Sequence, residues 1–445
     1  MRSAVSAIRL FAIVSALCLR LAATAAEGRR VLRELTVEQA KELQKRAGPL
    51  ALDALESMTL DAAKALAGHL GPLSLGGLTS APEDVLQALR RNNGPLTLNG
   101  LKSLTEAEAK ALNGEQPLAL DGLTTLAPKV ADILANSNKS SLSLSGLREI
   151  SAADAAALGR SWSGNLSLDG LPTVTAEIAK ALQHFPRTLS LSGVKTVSPE
   201  VARELAKVPG ELRLDGMETL PADVATALAQ RRAGTSFRGL KSLDAAAAAA
   251  IAPHKGPLSF AGLGELPATT AKELARHRGR LSLEGLKTLG TDAAEALGGH
   301  RGWLVLEGLE TLPAPVARGL SRHDGDVLLG GLKSLTPDAA SELVRHKGDL
   351  RLHGLESLPA DVAAVLATHD GWVHLDRITE LSPEAAKALA TSRVGLSLGG
   401  LTALSDEAAK ALLESPAWLR FDGRSPPKVS AEIKGRLDKH ARLAR

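Results

Sequence analysis

Six histidines, His254, His277, His300, His323, His346 and His369, stand 23 residues apart. If the chain folds as a repeat of that length, they stack in one column. Imidazole at such spacing suggests two chemistries. Neutral imidazole is a common ligand for zinc and related ions, and the protonated form is favourable at a helix C-terminus. Each histidine follows a short segment with helical apolar spacing, and Gly comes two residues later, as at His277 to Gly279, His300 to Gly302 and His346 to Gly348. That is the pattern of a helix end with a cation-capable residue in its last turn and a C-cap glycine. Helices pack about 9 Å apart, which holds neighbouring rings too far apart to share an ion. The column is therefore expected to be structural, with no metal and no cofactor.

A second set combines aromatic and charged groups. Trp303, Trp372 and Trp418 each precede a short segment of alternating apolar residues. The polar positions in and beside these segments include Glu307, Arg351, His353, His374, Asp376, Arg420 and Asp422. Exposed Trp among Arg, His and carboxylates suits a binding surface, because it offers flat apolar area beside directional hydrogen bonds. Catalytic signatures are lacking: the chain contains no H-E-x-x-H, no G-x-S-x-G, no P-loop and no dinucleotide-binding glycine motif. The recurrent serines, such as Ser143, Ser167, Ser190, Ser259 and Ser282, share one strand position, where a small hydroxyl suits a crowded sheet. No enzyme is expected.

These residues are positioned by a repeat. Leu73-Ser74-Leu75-Gly76-Gly77-Leu78 recurs as Leu166-Ser167-Leu168-Asp169-Gly170-Leu171 and as Leu281-Ser282-Leu283-Glu284-Gly285-Leu286. Seventeen such units begin between Leu50 and Leu419, nearly all 23 residues apart. L-x-L has the alternation of a short strand with its leucines inward. Gly follows at the fifth place in 15 of the 17 units, as expected where the backbone turns through positive φ. Arg377 replaces it once and predicts a local irregularity. Ser198-Pro199-Glu200, Thr336-Pro337-Asp338 and Ser382-Pro383-Glu384 are helix starts, each with an N-cap, Pro at the first helical position and an early acid. The helix that follows is short and alanine-rich. A strand this short cannot bury its own face, so stacked copies must share a core.

The L-x-L strand, the short period and the helical outer side resemble the leucine-rich-repeat family, in a short bacterial-type variant, over nearly the whole chain. The resemblance implies an α/β solenoid with a parallel sheet of short strands on the concave side and short helices on the convex side. The family usually has a buried Asn three residues after the second strand leucine, whereas this chain has Leu78, Leu171, Leu286 and Leu401 there. Only 2% of residues are aromatic and none is Tyr, so the core must be layers of Leu, Val and Ala.

The chain begins with a basic stretch, a ten-residue apolar run from Leu10 to Leu19, and Ala23-Thr24-Ala25, the pattern of a signal peptide over 1–26. The expected organisation continues with an N-terminal cap helix over 27–49, the array over 50–427 and a basic C-terminal cap helix over 428–445. Cleavage would remove Cys18, the only cysteine, and three Arg, reducing a net charge of +4 to 50 basic against 49 acidic groups. Near-neutrality argues against a nucleic-acid partner, and no later run is long enough to span a membrane. The expected function is a secreted or periplasmic scaffold that binds a protein partner on its concave face. The alternative is a carbohydrate-binding solenoid that stacks a cell-surface glycan on the Trp column.

Overall fold

The structure, a computed structural model, describes residues 34–136, 141–161, 164–421, 427–430 and 433–436. The signal-peptide segment, Asp422 and most of the C-terminal basic segment lie outside these residues. The chain divides into two compact units, one up to Pro172 and one from Thr173. Both are built the same way.

In each unit, two- or three-residue parallel strands pair in register with the repeat. In the first unit Leu50 pairs with Leu73, Leu73 with Leu96 and Leu96 with Leu118. In the second, Leu281 pairs with Leu304, Leu304 with Val327, Val327 with Leu350, Leu350 with Val373, Val373 with Leu396 and Leu396 with Leu419. Identical register at every step places equivalent residues in straight columns, so spacing along the sequence becomes proximity in space. The leucine columns are the core. Leu281, Leu283 and Leu286 are fully buried, as are Leu304, Leu306 and Leu309 in the next repeat. Phe237 and Phe260 take the second leucine position in adjacent repeats and stack with centroids 5.6 Å apart.

The helices of the repeats run from six to ten residues, too short to persist alone in water. Caps and neighbours hold them. Ser198, Thr336 and Ser382 each accept a hydrogen bond from the backbone N–H three residues on, with Pro at the helix start, as the sequence predicts. Thr36 and Gln39 close a reciprocal capping box on the first helix, Val37–Gln44. Each helix buries an alanine-rich stripe against the next, as with Ala293, Ala294 and Leu297 of the Thr291–Leu297 helix. Near the C-terminus, residues 433–436 are helical with Ile433 buried, and Lys434 N–H donates to Ser430 O.

Three expectations about turns are corrected. Among the described residues, only Gly48 has positive φ. The fifth-place glycines serve another need, close approach between neighbouring backbones. A Cβ on Gly285 would lie 2.6 Å from Leu263 O and closer still to Ala261 O. The glycines after the histidines are likewise not left-handed C-caps. The Ala268–Leu274 helix is capped at Ala275 with ordinary right-handed geometry, four residues before Gly279. Nor is the Arg377 repeat irregular: Ile378 N–H donates to Leu375 O at 3.2 Å, the same turn bond as Leu286 to Leu283.

Candidate functional site

The histidine column exists, but it is interior. His254, His277, His300, His323, His346 and His369 are all buried, between helix end and returning strand. Their rings follow one another at 6.2, 6.1, 5.4, 6.0 and 6.3 Å. That is closer than helix spacing predicts, because the return segments have already converged towards the strand separation of about 4.8 Å. Backbone N–H groups of Gly256, Gly325 and Gly348 donate to Nδ1 of His254, His323 and His346. The carbonyl oxygens of the same three glycines lie 3.0, 2.9 and 3.1 Å from those Nδ1 atoms, so each ring is tied to both backbone groups of its glycine. Burial is the main reason that the pKa values of His254 and His300 fall to about 4, and those of His277, His323 and His346 fall too. These are neutral interior groups that satisfy the backbone, rather than cations at helix ends.

Other residues do the same work at the equivalent place in other repeats. Asn92 Nδ2 donates to Gly71 O and Gly94 O. Buried Arg231 donates from Nη1 to Leu205 O at 2.7 Å and Val208 O at 2.9 Å, and from Nη2 to Gly210 O at 2.5 Å. The buried polar ladder therefore lies in the return, away from the position where the family resemblance places Asn.

The opposite, strand-side surface holds the second candidate set. Three columns point away from the helices: the residue before each strand and two alternating strand positions. The middle column is largely covered. Ser143, Ser167, Ser190, Ser236, Ser282, Val305 and Ser397 are buried there between their neighbours. A recurrent contact closes it. Asp53, Asp121, Asp215 and Asp376, in the third column, each accept from a serine hydroxyl of the next repeat, Ser74, Ser143, Ser236 and Ser397 respectively. The same carboxylate oxygens accept backbone N–H bonds from Gly76, Ser145, Arg238 and Gly399.

In the second unit, two groups form on this surface. Arg351 lies over the Trp303 ring, 5.7 Å from its centroid, with Asp326 3.5 Å away. Beside them, Trp372, His353, His374 and Asp376 come together. Trp372 stacks on His374 at 6.0 Å, and the two histidine rings meet edge to face at 5.6 Å. Asp349 accepts from Trp372 N–H at 3.0 Å and approaches His374 Nε2 at 3.9 Å. His353 Nδ1 is 3.2 Å from Asp376 Oδ2. Burial opposes ionisation of Asp376, but hydrogen bonds from His353, Ser397 and Gly399 N–H outweigh it and hold the carboxyl well below the usual range. Burial, then the Arg351 charge, push His374 down.

Glu307, Trp418 and Arg420 join neither group and make no side-chain hydrogen bond or ion pair among the described residues; Asp422 lies outside them. Trp303 and Trp418 remain 48% and 57% exposed. Trp372 is half-covered because its ring lies across Gly395, where any Cβ would strike the indole. Sequence reasoning missed Asp326 as a member of these groups, although it stands at the Trp column's own register. It also weighed metal binding only at the histidine column. Among the described residues, His353, His374 and Asp376, at different strand positions, are the ones whose ligand atoms converge, all within 4.8 Å of one another.

No protein-family model matches the chain, and no curated protein matches it. Among solved structures it is similar to the crystal structure of a TLR13–ssRNA13 complex, at 16% identity and a TM-score of 0.44, covering 87% of this chain and 54% of that one. It is also similar to the Toll–Spatzle complex, described as a molecular hub in Drosophila development and innate immunity, at 13% identity and a TM-score of 0.41, covering 80% and 54%. The chain thus spans about half the length of these structures. In-register parallel strands, leucine columns and a short helix in each repeat decide the architecture. The fold is a leucine-rich-repeat-like solenoid. The exclusion of nucleic-acid partners is corrected here, because one of these solenoid structures is a complex with an ssRNA. Net charge sums over the whole chain, whereas binding depends on the local field. Among the described residues, no helix is long and apolar enough to cross a membrane.

Proposed function

We propose that the chain is an exported, non-catalytic binding scaffold that docks a protein partner on the strand side of its second unit. One observation carries this reading. Three large hydrophobic residues are exposed among the described residues, and two of them, Trp303 and Trp418, share one strand-side column. They are five repeats apart, about 24 Å along the sheet at strand spacing. Between them lie Arg351, Asp326, Asp349 and Asp376, and beside them the charges of Glu307 and Arg420, unpaired among the described residues. Equivalent positions in the first unit are small or prolyl: Pro72, Ser74, Pro95, Thr97 and Ala119. Core packing is the same in both units and gives no reason for that difference.

The test is capture from the native envelope fraction with the cleaved chain, followed by an alanine scan. Trp303→Ala and Trp418→Ala should each weaken the captured complex about 30-fold, the loss of an anchor worth about 2 kcal/mol. Pro72→Ala and Thr97→Ala should change it little. Equal losses in the two sets overturn the proposal. A glycan ligand is the second reading, favoured by the open ring of Trp418 beside Arg420. It predicts sugar binding lost in Trp418→Ala, a better probe than Trp372, whose ring is packed on Gly395.

A further inference from the structure

We propose that His353, His374 and Asp376 form a binding site for a divalent transition-metal ion, with Zn2+ as its natural probe. The inference goes beyond partner docking and does not depend on it. Strand register creates the site. Arg351 pairs with His374, so His353, two residues after Arg351 on the same face, lies beside Asp376 and diagonal to His374. Neighbouring repeats thus contribute one and two ligands to a single point. Their ligand atoms all lie within 4.8 Å of one another. A tetrahedral zinc ion with ligands at about 2.0–2.2 Å separates those ligands by about 3.4 Å. His353 Nδ1 and Asp376 Oδ2 are already 3.2 Å apart, so the third group needs only a modest side-chain rotation.

The surroundings fit the same use. Asp376 Oδ1 is held by Ser397 Oγ at 2.6 Å and Gly399 N–H at 2.9 Å. These bonds fix the carboxylate and turn Oδ2 towards the histidines, as outer-shell bonds do in metal sites. His374 is 9% exposed, and its Nε2 has no hydrogen-bond partner. Two imidazoles and one carboxylate suit zinc, nickel or copper rather than magnesium or calcium, which prefer all-oxygen sets. Three protein ligands leave one position open to water or to a donor from a docked partner. Asp349 Oδ2, 3.9 Å from His374 Nε2, is the nearest further carboxylate oxygen on the face. The interior histidine column does not compete, because among the described residues no three of its ligand atoms lie within 4.8 Å of one another.

The experiment is calorimetric titration of the purified full chain with Zn2+ in a non-chelating buffer, with Co2+ absorption as a second readout. Wild type should bind one equivalent at the site and give the visible spectrum of four-coordinate cobalt. His353→Ala removes a half-exposed side chain and should weaken that equivalent at least about 100-fold. Asp376→Asn should do the same without unfolding the chain, since Asn99 already accepts a backbone bond, from Asp121 N–H, at the equivalent place. His323→Asn, in the interior column, should leave affinity and spectrum unchanged. No zinc binding by wild type overturns the proposal, and so does equal affinity in wild type, His353→Ala and Asp376→Asn. Loss of partner capture with zinc binding intact would count against the docking proposal alone.

Discussion

Acid should loosen the repeats that carry the histidine column, and the size of the effect follows from burial. His254 and His300 fall from the ordinary 6.5 to about 4 in the folded chain. The unfolded chain binds more protons between those values, so stability is fully present above about pH 6.5 and is lost as pH falls towards about 4. At about pH 4.5, each of the two should have lost about 2.5 kcal/mol relative to neutral pH, or about 5 kcal/mol together. His277, His323 and His346 shift the same way and add to the loss. The groups facing the column do not reverse the sign. Arg231 disfavours charge on His254, and Asp324 and Asp326 only partly offset burial at His323. Repeats couple to their neighbours alone, so the loss should appear as early unfolding of the segment between about residues 235 and 373.

The assay is urea unfolding followed by circular dichroism at about pH 7.5 and about pH 4.5. The double variant His254→Asn, His300→Asn isolates the column, because Asn92 shows that an amide serves this position. It should retain about 5 kcal/mol more than wild type on acidification. Carboxylates titrate equally in both proteins and cancel in the comparison. Equal acid losses in wild type and variant would refute the assignment of neutral, buried imidazoles.

Other expectations follow from single contacts. Gly285→Asn should destabilise by about 2–3 kcal/mol, because any Cβ meets the backbone of the preceding repeat; a tolerated Asn, which accepts positive φ, would restore the turn explanation. Arg231→Met leaves two buried carbonyls, Val208 O and Gly210 O, without donors, while Leu205 O keeps its bond from Val208 N–H, and should cost about 3 kcal/mol in a thermal melt; an unchanged melting temperature would mean that water serves them equally well. Trp303→Ala and Trp418→Ala should shift stability by about 1 kcal/mol or less, since both rings are exposed and Trp303 loses only its Arg351 contact. Export predicts that protein from the native host begins at Ala26 or Glu27, and an intact cytosolic Met1 form would contradict it.

What can be read from the sequence follows what repeats in it. The leucine columns, the strand register and the starts at Ser198, Thr336 and Ser382 recur at fixed spacing, and the structure has them where the spacing places them. Contacts across repeats were harder to see. The pairing of Asp376 with Ser397 spans 21 residues and depends on side chains reaching along the sheet, which no local pattern encodes. Burial of the histidines depends on where the return segment enters the core. A residue type that suits both a helix end and an interior ladder cannot decide that by itself. The glycines misled for a related reason: positive φ and close backbone approach both select for the absence of Cβ, and only the distance to Leu263 O separates them at Gly285.

The strand surface is where this architecture can vary without disturbing its core. Substitution at a leucine column alters packing in its own repeat and in both neighbours, and a Leu to Ala change there costs about 2–5 kcal/mol. Substitution in the column before the strand alters a side chain that touches mainly its sheet neighbours. Trp303 and Arg351 show the consequence: the pair is assembled from different repeats, yet neither disturbs the buried leucines beneath. His353 and Asp376 go further. Asp376 keeps the serine and backbone bonds that Asp53, Asp121 and Asp215 also make, so its role in stabilising the sheet is intact, and its second oxygen is left for His353. One carboxylate thus serves the repeat with one atom and the candidate metal site with the other. Asp376→Asn tests that division directly. The amide can still accept from Ser397 and Gly399 with its one carbonyl oxygen, while losing the charge that a metal ion would require. Unchanged unfolding with abolished zinc binding would separate the two roles, whereas parallel loss of both would make the carboxylate a stability element alone.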